Sequence, residues 1–552
     1  MPGDNKEKEL LDHIANLELQ IKKLKDRKRY GLVWEDKKEK FDKDSKDALP
    51  ILREKGDKYS DIVSDKNKDF NILIEGDNYH SLSVLSYTHK NKVDVIYIDP
   101  PYNTGNKDFI YNDHYVDKED RFRHSKWLSF LNKRLKLAKS ILSKDGVVFI
   151  SIDDNEYAQL KLICSEIFGE DNLETIIWHK VADDSGRLKI TYRVRREHEY
   201  ILVCYKNKKQ VFFNKYLSDR NYKNEYTNPD NDPRGAYKQG IISTTEAKSK
   251  ETGKNFYTIK TPSGKTYSRQ WRFPKEEFER LNKDNRIYYG KDGSSVPSSK
   301  VFINEQKETT PTTLFSDLGT AKTAGFEIEN IFGNKPFTYP KPVTLIEHII
   351  KIASEKNDLI LDFMAGSGTT GQAVLELNKK DGGDRRFILC TNNENKICEN
   401  ITYERIKRVS AGYKNSDNKK IAGLGGNLKY LKTDFVKLDK SIDSLKHKIV
   451  EGSTEILCLK EESFDLVLDS YKKNRIKIFQ NQSRYTAILF DLFYFEEFIE
   501  QLKKLKDKPV SVYVFSYTKD FSKEEFGDLG IKFTIEPIPE KILETYKKIF
   551  NF

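Results

Sequence analysis

The sequence contains few cysteines and no long apolar run. Its five cysteines are widely separated, and no cysteine or histidine cluster has the ligand spacing of a zinc site. We therefore expect reduced, mostly buried thiols, a cytoplasmic location and no metal. The first residues, MPGDNKEKEL, lack the apolar core of a signal peptide, and no apolar run approaches the ~20 residues that cross a bilayer. A membrane protein is therefore not expected.

Charge is abundant, and positive charge exceeds negative charge. The 552 residues include 97 Lys and Arg against 86 Asp and Glu, which gives a formal charge of +11. A net positive surface attracts phosphate backbones, so a polyanionic partner is one expectation. A solvated lysine-rich surface is the alternative. The length exceeds what one hydrophobic core can organise and predicts several domains.

Strand-length apolar runs alternate with amphipathic helices in two separate parts of the chain. The runs lie at residues 71–77, 93–98, 146–152 and 358–363. This alternation predicts a mostly parallel sheet covered on both faces. Residues 208–335 are instead polar, basic and aromatic, with many turn formers. We therefore expect one α/β domain in two pieces, 36–207 and 336–424, around an inserted module.

The two ends of the chain predict smaller elements. In residues 1–35, apolar residues recur at spacings of three and four from Leu10 to Leu24, which predicts one stripe of a helix. This helix could pack on its own domain or contact a dimer partner or another protein. Short strand patterns around a helical segment in residues 425–552 predict a small α/β domain, a possible docking site for a partner or a second protomer.

A glycine-rich stretch, LDFMAGSGTTG at residues 361–371, lies between a predicted strand and a predicted helix. Glycines allow backbone N–H groups to approach a ligand closely, and the helix N-terminus favours a carboxylate or phosphate. No lysine stands at the Walker A position, and the third glycine of the dinucleotide fingerprint is missing from its usual place. Nucleotide phosphates are therefore not the preferred ligand. Simple strand-to-helix packing remains the alternative.

A second stretch, YIDPPYNTG at residues 97–105, follows another predicted strand. The strand delivers Asp99 to the edge where open α/β sheets bind ligands. Pro100 and Pro101 have no N–H, so nearby carbonyl groups can act as acceptors on a rigid segment. Tyr102 adds a flat face for stacking. This combination suits a planar ring with an amino group, such as adenine, while a proline-rich turn that merely ends a strand is the alternative.

These stretches together resemble a known family. DPPY followed far downstream by a glycine-rich segment resembles the beta group of amino-methylating DNA methyltransferases, which use S-adenosylmethionine. The stretches RYGLVWEDK, IEGDNYHSL, IDPPYNTGNKDFIYND, ISIDDNE, HEYILVCYKN, YPKPVTLIEHII and LDFMAGSGTTG resemble modification subunits of type III restriction–modification systems. The resemblance runs from about residue 30 to 410. It implies a circularly permuted, Rossmann-like α/β methyltransferase fold, an inserted target-recognition domain at 208–335 and a small C-terminal domain.

The resemblance also implies roles for individual residues. The catalytic pocket is expected to comprise Asp99, Pro100, Pro101 and Tyr102. The expected cofactor-binding residues are Asp77, Lys341, Pro342, Asp362, Phe363, Ala365, Gly366, Ser367, Gly368, Thr369 and Glu394. His198 and Tyr200 match a motif that lines the target-base side, with structural packing as the alternative.

Sequence recognition needs side chains that reach base edges and phosphates. The arginines expected to do so are Arg195, Arg196, Arg234, Arg269 and Arg272, each with a solvated or structural role as the alternative.

The resemblance implies an adenine-N6 methyltransferase that acts on duplex DNA by base flipping. It further implies a homodimer and a partner restriction subunit with ATP-dependent helicase and nuclease activity. A solitary regulatory methyltransferase and a non-catalytic DNA-recognition subunit are the alternatives. Cytosine-N4 methylation is a chemical alternative, but within the family it more often accompanies Ser in place of Asp99.

Overall fold

The computed structural model describes residues 34–39, 48–56, 59–106, 108–111, 114–181, 194–216, 226–305, 308–439, 441–469, 475–516 and 522–550. The predicted N-terminal helix at 1–35 lies almost entirely outside these residues. The chain forms two compact units. One comprises Met1–Phe212 and Thr313–Phe552, and the other comprises Phe213–Thr312. No helix in the described ranges is long and apolar enough to cross a membrane.

The strands, in chain order, are β1 (Ala48–Glu54), β2 (Phe70–Glu75), β3 (Val93–Ile98), β4 (Ile110–Tyr111), β5 (His114–Tyr115), β6 (Leu142–Ile152), β7 (Leu173–His179), β8 (His198–Tyr205), β9 (Tyr237–Ile241), β10 (Phe256–Lys260), β11 (Thr266–Gln270), β12 (Ile287–Tyr288), β13 (Ser298–Phe302), β14 (Leu314–Phe315), β15 (Leu359–Asp362), β16 (Arg386–Thr391), β17 (Gly412–Lys414), β18 (Lys420–Ala422), β19 (Asn427–Lys437), β20 (Asp465–Asp469), β21 (Ile476–Gln480), β22 (Tyr485–Leu489), β23 (Val510–Phe515) and β24 (Phe533–Ile538).

The α-helices are α1 (Asn78–Thr88), α2 (Arg123–Ile141), α3 (Tyr157–Phe168), α4 (Lys275–Lys283), α5 (Ala321–Phe332), α6 (Val343–Ala353), α7 (Thr369–Asp381), α8 (Glu404–Ala411), α9 (Ile442–Glu451), α10 (Thr454–Glu461), α11 (Phe495–Leu502) and α12 (Glu540–Phe550). A π-helical turn, Cys398–Tyr403, leads directly into α8.

A ten-stranded sheet organises the larger unit. Its strand order is β1-β19-β2-β16-β15-β3-β6-β8-β7-β14. Neighbouring strands run parallel from β19 through β6, whereas β8 is antiparallel to both β6 and β7. The apolar runs that predicted these strands are buried along nearly their whole length, as in β3 and in the second half of β6. The predicted mostly parallel α/β sheet is confirmed.

The helices around this sheet form two packed groups, as a sheet covered on both faces requires. In one group α1 contacts α2, α10 and α12, and α2 contacts α3. In the other group α7 contacts α6 and α8, and α8 contacts α5. The strands β3 and β15 are neighbours in the sheet, although the whole second unit lies between them in the chain. This is the permuted order that the family resemblance implied.

A five-stranded sheet, β20-β21-β22-β23-β24, lies near the C-terminus. Its strands β22 to β24 are parallel, and it belongs to the larger unit. The Tyr546 hydroxyl of α12 donates a hydrogen bond of 2.6 Å to the Pro50 carbonyl of β1, so the C-terminal helix is fixed on the central sheet. β19 falls within the predicted C-terminal domain, 425–552, but is a strand of the central sheet.

The second unit has its own small core. A three-stranded sheet, β12-β13-β9, and the hairpin β10–β11 accompany α4. The core side chains are Ile242, Ile259, Trp271, Phe278 and Ile287. This unit is shorter than the predicted insertion at 208–335, because residues 313–335 contribute β14 and α5 to the larger unit. Since β14 pairs with β7, those residues extend the central sheet.

Candidate active site

The two stretches singled out in the sequence meet at one edge of the central sheet. β3 ends at Ile98, immediately before Asp99, and β15 ends at Asp362, immediately before the glycine-rich loop. The two strands are parallel neighbours, with Leu361 opposite Ile96. Adjacent strands lie about 4.8 Å apart, so the two stretches emerge side by side at the carboxyl edge.

Asp99 lies in a network of charged and phenolic groups. The Lys341 ammonium donates hydrogen bonds of 2.8 Å to Asp99 Oδ1, Asp99 Oδ2 and the Tyr102 hydroxyl. The Tyr102 hydroxyl donates to Glu199 Oε2 at 2.9 Å, and Lys180 Nζ donates to Glu199 Oε1 at 2.8 Å. The network therefore contains two carboxylates and two ammonium groups, and its formal charge is balanced.

The surroundings of Asp99 and Glu199 shift the pKa values of their carboxyl groups in opposite directions. Burial raises the pKa of Asp99, and the nearby Lys341 ammonium only partly offsets this. Burial would also raise the pKa of Glu199, but Lys341 and Lys180 together hold it below its ordinary value. Burial lowers the pKa of Lys341, and the two carboxylates more than offset that effect, so Lys341 remains an ammonium. Paired carboxyl groups of different acidity are typical of catalytic sites.

The two prolines differ in the use of their carbonyl groups. The Pro101 carbonyl accepts a 2.7 Å hydrogen bond from the indole N–H of Trp127, a fully buried side chain of α2. The buried Pro100 carbonyl has no hydrogen-bond donor among the residues that the structure describes. The segment therefore presents a second acceptor beside Asp99.

The glycine-rich loop fits a close ligand because its backbone requires glycine. Gly366 and Gly368 have positive φ angles of 49° and 79°. A Cβ at Gly366 would lie 3.2 Å from the Phe337 ring, and one at Gly368 would lie 3.2 Å from Thr402 Cγ2. Thr402, in the π-helical turn, also donates a 2.6 Å hydrogen bond to the Gly366 carbonyl. The loop thus follows a path that glycine adopts without strain and that any side chain at these two positions would disturb.

Arg405 braces this loop from the interior. Its fully buried guanidinium donates to Thr369 Oγ1 at 2.8 Å, to Ser367 Oγ at 3.1 Å and to Gln372 Oε1 at 2.8 Å. Its Nη2 atom has no acceptor in the described part of the chain. Burial lowers the pKa of Arg405 to about 10. The hydroxyl groups of Ser367 and Thr369 are therefore committed to holding the loop.

Asp362 also acts within the loop. It accepts hydrogen bonds from Thr370 Oγ1 at 2.6 Å and from the Met364 backbone N–H at 2.9 Å. Burial raises the pKa of Asp362 to about 7. The carboxyl group thus ties the start of α7 to the end of β15.

Comparison with known proteins agrees with this geometry. Residues 93–404, more than half of the chain, match the N6/N4 methyltransferase family, described as DNA methylase. The chain belongs to this DNA methylase family.

Three relatives are modification (Mod) subunits of type III restriction-modification enzymes. The StyLTI Mod subunit of Salmonella typhimurium is 36% identical over 64% of this chain and 57% of its own length. The EcoP15I Mod subunit of Escherichia coli is 31% identical over 57% of this chain and 58% of its own length. The EcoPI Mod subunit of Escherichia phage P1 is 30% identical over 73% of this chain and 71% of its own length. The resemblance to type III modification subunits is confirmed. The chain matches somewhat more than half of the length of the first two relatives.

The remaining residues expected at the cofactor lie at the same sheet edge as the glycine-rich loop. Asp77 follows β2 and caps α1, because its side chain accepts a 2.7 Å hydrogen bond from the Tyr79 N–H. Glu394 is exposed and follows β16, the neighbour of β15. Phe363 and Ala365 are buried. Pro342 directly precedes α6, next to Lys341.

The HEY sequence at the start of β8 places alternate side chains on opposite faces of the sheet. Tyr200 stacks on Tyr157 of α3 with ring centroids 4.2 Å apart, and His198 packs edge-on against Tyr200. Glu199, between them, instead reaches Tyr102. Because side chains of a strand alternate, the Glu199 face is the one that joins the Asp99 network. The structure does not bring His198 and Tyr200 into contact with Tyr102.

The two arginines of the larger unit that were expected to contact DNA form ion pairs near the surface. Arg195 Nε lies 3.3 Å from Glu197, and Arg196 Nε lies 3.3 Å from Asp154. Asp154 follows β6, so Arg196 lies at the carboxyl edge of the sheet.

The three arginines of the second unit that were expected to contact DNA have different surroundings. Arg234 donates to both carboxylate oxygens of Asp232 at 2.9 Å and to the Asp284 and Asn285 carbonyls, so its guanidinium fixes a turn. Arg269 is half-buried, with a Thr244 carbonyl and the Glu246 carboxylate nearby. Arg272 is exposed, and its side chain makes no hydrogen bond or ion pair with any described residue.

The sequence interpretation missed Glu199, Lys180 and Arg405. Glu199 stands in the quoted HEY motif, and strand alternation was the available signal for assigning it to the opposite face from its neighbours. Lys180 and Arg405 carried no local signal, because each acts through contacts with residues distant in the chain. No group of acidic, histidine or cysteine side chains in the described ranges could hold a metal ion.

Proposed function

We propose that this protein is a site-specific DNA methyltransferase that transfers a methyl group from S-adenosylmethionine to N6 of adenine in duplex DNA. We further propose that it is the modification and recognition subunit of a type III restriction–modification system. The observation that supports this most is the emergence of Asp99 and the glycine-rich loop side by side at one sheet edge. A methyl donor and an acceptor amine must meet at such a point.

The glycine-rich loop and its neighbours would hold the cofactor. Gly366 and Gly368 permit a close backbone approach at the N-terminus of α7, where a carboxylate is favoured. Asp77 and Glu394 lie at the ends of β2 and β16 and could accept hydrogen bonds from hydroxyl or amino groups. When bound, S-adenosylmethionine supplies an electrophilic methyl group.

The chemistry of the amine depends on Asp99 and Pro100. The exocyclic nitrogen of adenine is a poor nucleophile, because its lone pair is delocalised into the ring. Hydrogen bonds from its N–H groups to the Asp99 carboxylate and the Pro100 carbonyl would favour a pyramidal nitrogen. They would also stabilise the positive charge that develops on that nitrogen in the transition state. Asp99, with its pKa raised by burial, is then the nearest group for the proton that the methylated nitrogen loses.

The target base must leave the duplex to reach Asp99. Extruding a base costs a few kcal/mol. Stacking on Tyr102 would recover part of this cost, since one stacked base contributes about 1–3 kcal/mol. An aspartate at position 99, rather than a serine, favours adenine over cytosine as the target.

The second unit is proposed to recognise the DNA sequence. It carries exposed basic side chains, and Arg272 has no partner among the described residues that would prevent its reaching DNA. The relatives named as Mod subunits of restriction-modification enzymes support a restriction subunit as partner. A homodimer and a cytoplasmic location are part of the same proposal. Replacing residues 213–312 with the matching segment of a relative should therefore change the methylated sequence. Unchanged specificity would contradict the assignment.

Modification-sensitive sequencing tests the activity. The gene is expressed in a host without adenine methylation, and methylated positions are mapped on its DNA. We expect N6-methyladenine within one sequence motif, and none with Asp99→Ala, a variant that should still bind S-adenosylmethionine. Methylation of cytosine N4 would reassign the target base, and no mark at all would refute the proposal.

A further inference from the structure

The Lys341 ammonium is hydrogen-bonded to the carboxylate that the proposed function assigns to the adenine amine. An ammonium group has three N–H donors. All three have acceptors 2.8 Å away, namely Asp99 Oδ1, Asp99 Oδ2 and the Tyr102 hydroxyl. Only 12% of the Lys341 side chain is exposed. Each oxygen of the carboxylate that should receive the amine therefore already accepts a hydrogen bond from an ammonium group.

Lys341 at this position would also oppose the reaction. Methyl transfer develops positive charge on the acceptor nitrogen, and a fixed ammonium at the same carboxylate repels that charge. Lys341 further neutralises the negative charge through which Asp99 would stabilise the transition state. The reaction is therefore favoured when the ammonium has moved away from Asp99.

Glu199 offers a second position for this ammonium. Its Oε2 atom lies 3.7 Å from Lys341 Nζ, which is within ion-pair distance but beyond a hydrogen bond. A movement of about 1 Å would bring the two atoms into hydrogen-bond range. Glu199 itself is held by Lys180 and by the Tyr102 hydroxyl, and it remains ionised. An acceptor is thus fixed beside the ammonium.

We propose that Lys341 is a positioning residue that occupies the amine site of Asp99 until the target base arrives, and then transfers its ammonium to Glu199. This inference rests on the proposed function. Glu199 thereby determines how readily the base displaces Lys341. The family resemblance assigned Lys341 to the cofactor, whereas its contacts here are with the base pocket.

Steady-state kinetics on a duplex that carries the mapped target test this inference. Glu199→Gln preserves size and an acceptor for Tyr102 but removes the charge that attracts Lys341. We expect KM for the target duplex to rise about tenfold in this variant, since a hydrogen bond between charged groups contributes roughly that factor. In a Lys341→Met background the same Glu199→Gln change should alter KM by less than about twofold. Lys380→Met, which removes an exposed ammonium paired with Glu347, is the matched lysine control.

The double-mutant design separates the possible outcomes. A Glu199→Gln effect of equal size in both backgrounds would show that Glu199 acts through Tyr102 or Lys180, and would overturn the inference. Unchanged KM in Glu199→Gln would overturn it as well. If Lys341→Met does not fold, Lys341→Gln serves as the second background with the same expectations. Absence of methylation by the wild type refutes the proposed function itself, which is a distinguishable result.

Discussion

Replacing Asp99 by asparagine tests the role of its charge. The carboxylate oxygens of Asp99 each accept a 2.8 Å hydrogen bond from Lys341, and the side chain is three-quarters buried. Asparagine has nearly the same shape but keeps only one acceptor atom and no charge. The variant therefore isolates the electrostatic contribution of Asp99 from its packing.

The expected loss follows from the charge that develops on the acceptor nitrogen. Two unit charges 4 Å apart interact by about 4 kcal/mol at an effective dielectric constant of 20. If about half a unit charge has developed in the transition state, Asp99→Asn removes roughly 2 kcal/mol of attraction, and the lost charged hydrogen bond adds about 1.5 kcal/mol. The sum predicts a fall in kcat of about 10² to 10³, similar to the loss of one oxyanion-hole donor.

Incorporation of a labelled methyl group measures kcat, and calorimetry measures binding of S-adenosylmethionine. The matched control is Asp94→Asn on the same strand. Asp94 lies near the opposite end of β3, accepts a 2.9 Å hydrogen bond from the Leu359 N–H, and has its pKa raised by burial to about 6. We expect kcat of Asp94→Asn to stay near the wild-type value. A kcat of Asp99→Asn within tenfold of wild type would refute the electrostatic argument, and so would a tenfold loss of cofactor affinity.

Three further predictions concern the loop and the second unit. Arg405→Met should weaken S-adenosylmethionine binding by tenfold or more, because the glycine-rich loop loses its interior hydrogen bonds. An unchanged dissociation constant for S-adenosylmethionine would contradict this supporting role of Arg405. Asp362 has a folded-state pKa of about 7, above its ordinary value of 3.8, so its protonated form stabilises the fold at low pH and this contribution is lost as pH rises from 4 to 7. Denaturant titrations should therefore show that the unfolding free energy of Asp362→Asn, relative to that of the wild type, increases over this interval. Arg272→Ala should weaken duplex binding, measured by fluorescence anisotropy, without lowering thermal stability. Arg234→Ala should lower thermal stability because four hydrogen bonds are lost. Equal effects of the two variants would contradict these different roles.

The parts of the site that the sequence predicted are those encoded by consecutive residues. In DPPY, an acid, two residues without N–H groups and an aromatic ring are adjacent, and their position after an apolar run places them at a strand end. The glycine-rich loop is recognised in the same way, between a strand and a helix. Because parallel strands end at a common edge, these two local patterns are expected to lie at the same edge of the sheet.

Contacts between distant residues could not be predicted in this way. Lys341 and Asp99 are 242 residues apart, and Glu199 and Tyr102 are 97 residues apart. Lys341 stands between Pro340 and Pro342, so its local sequence does not distinguish a cofactor contact from a contact with Asp99. Arg405 likewise stands among charged helix residues, and only its burial shows that it supports the loop.

The limits of the second unit show a related difficulty. The sequence prediction grouped residues 313–335 with the polar, basic and aromatic segment that precedes them, so the predicted insertion extended to 335. Their assignment to the larger unit depends on the pairing of β14 with β7, where Leu314 lies opposite Ile177. Strand pairing between segments more than a hundred residues apart is a property of the folded sheet, and composition alone does not encode it.

The charge balance around Asp99 explains why a lysine belongs in this pocket. A buried carboxylate without a partner would take up a proton, because burial disfavours its charged form. Asp99 must be ionised when the amine arrives, so some cation must accompany it while the pocket holds no base. Lys341 meets this requirement, and the Glu199–Lys180 pair keeps a negative acceptor within 3.7 Å of its ammonium. A neutral residue at 341 should therefore raise the pKa of Asp99 further and move the acidic limb of the kcat profile to higher pH, whereas an unmoved profile would show that the pKa of Asp99 does not depend on the lysine.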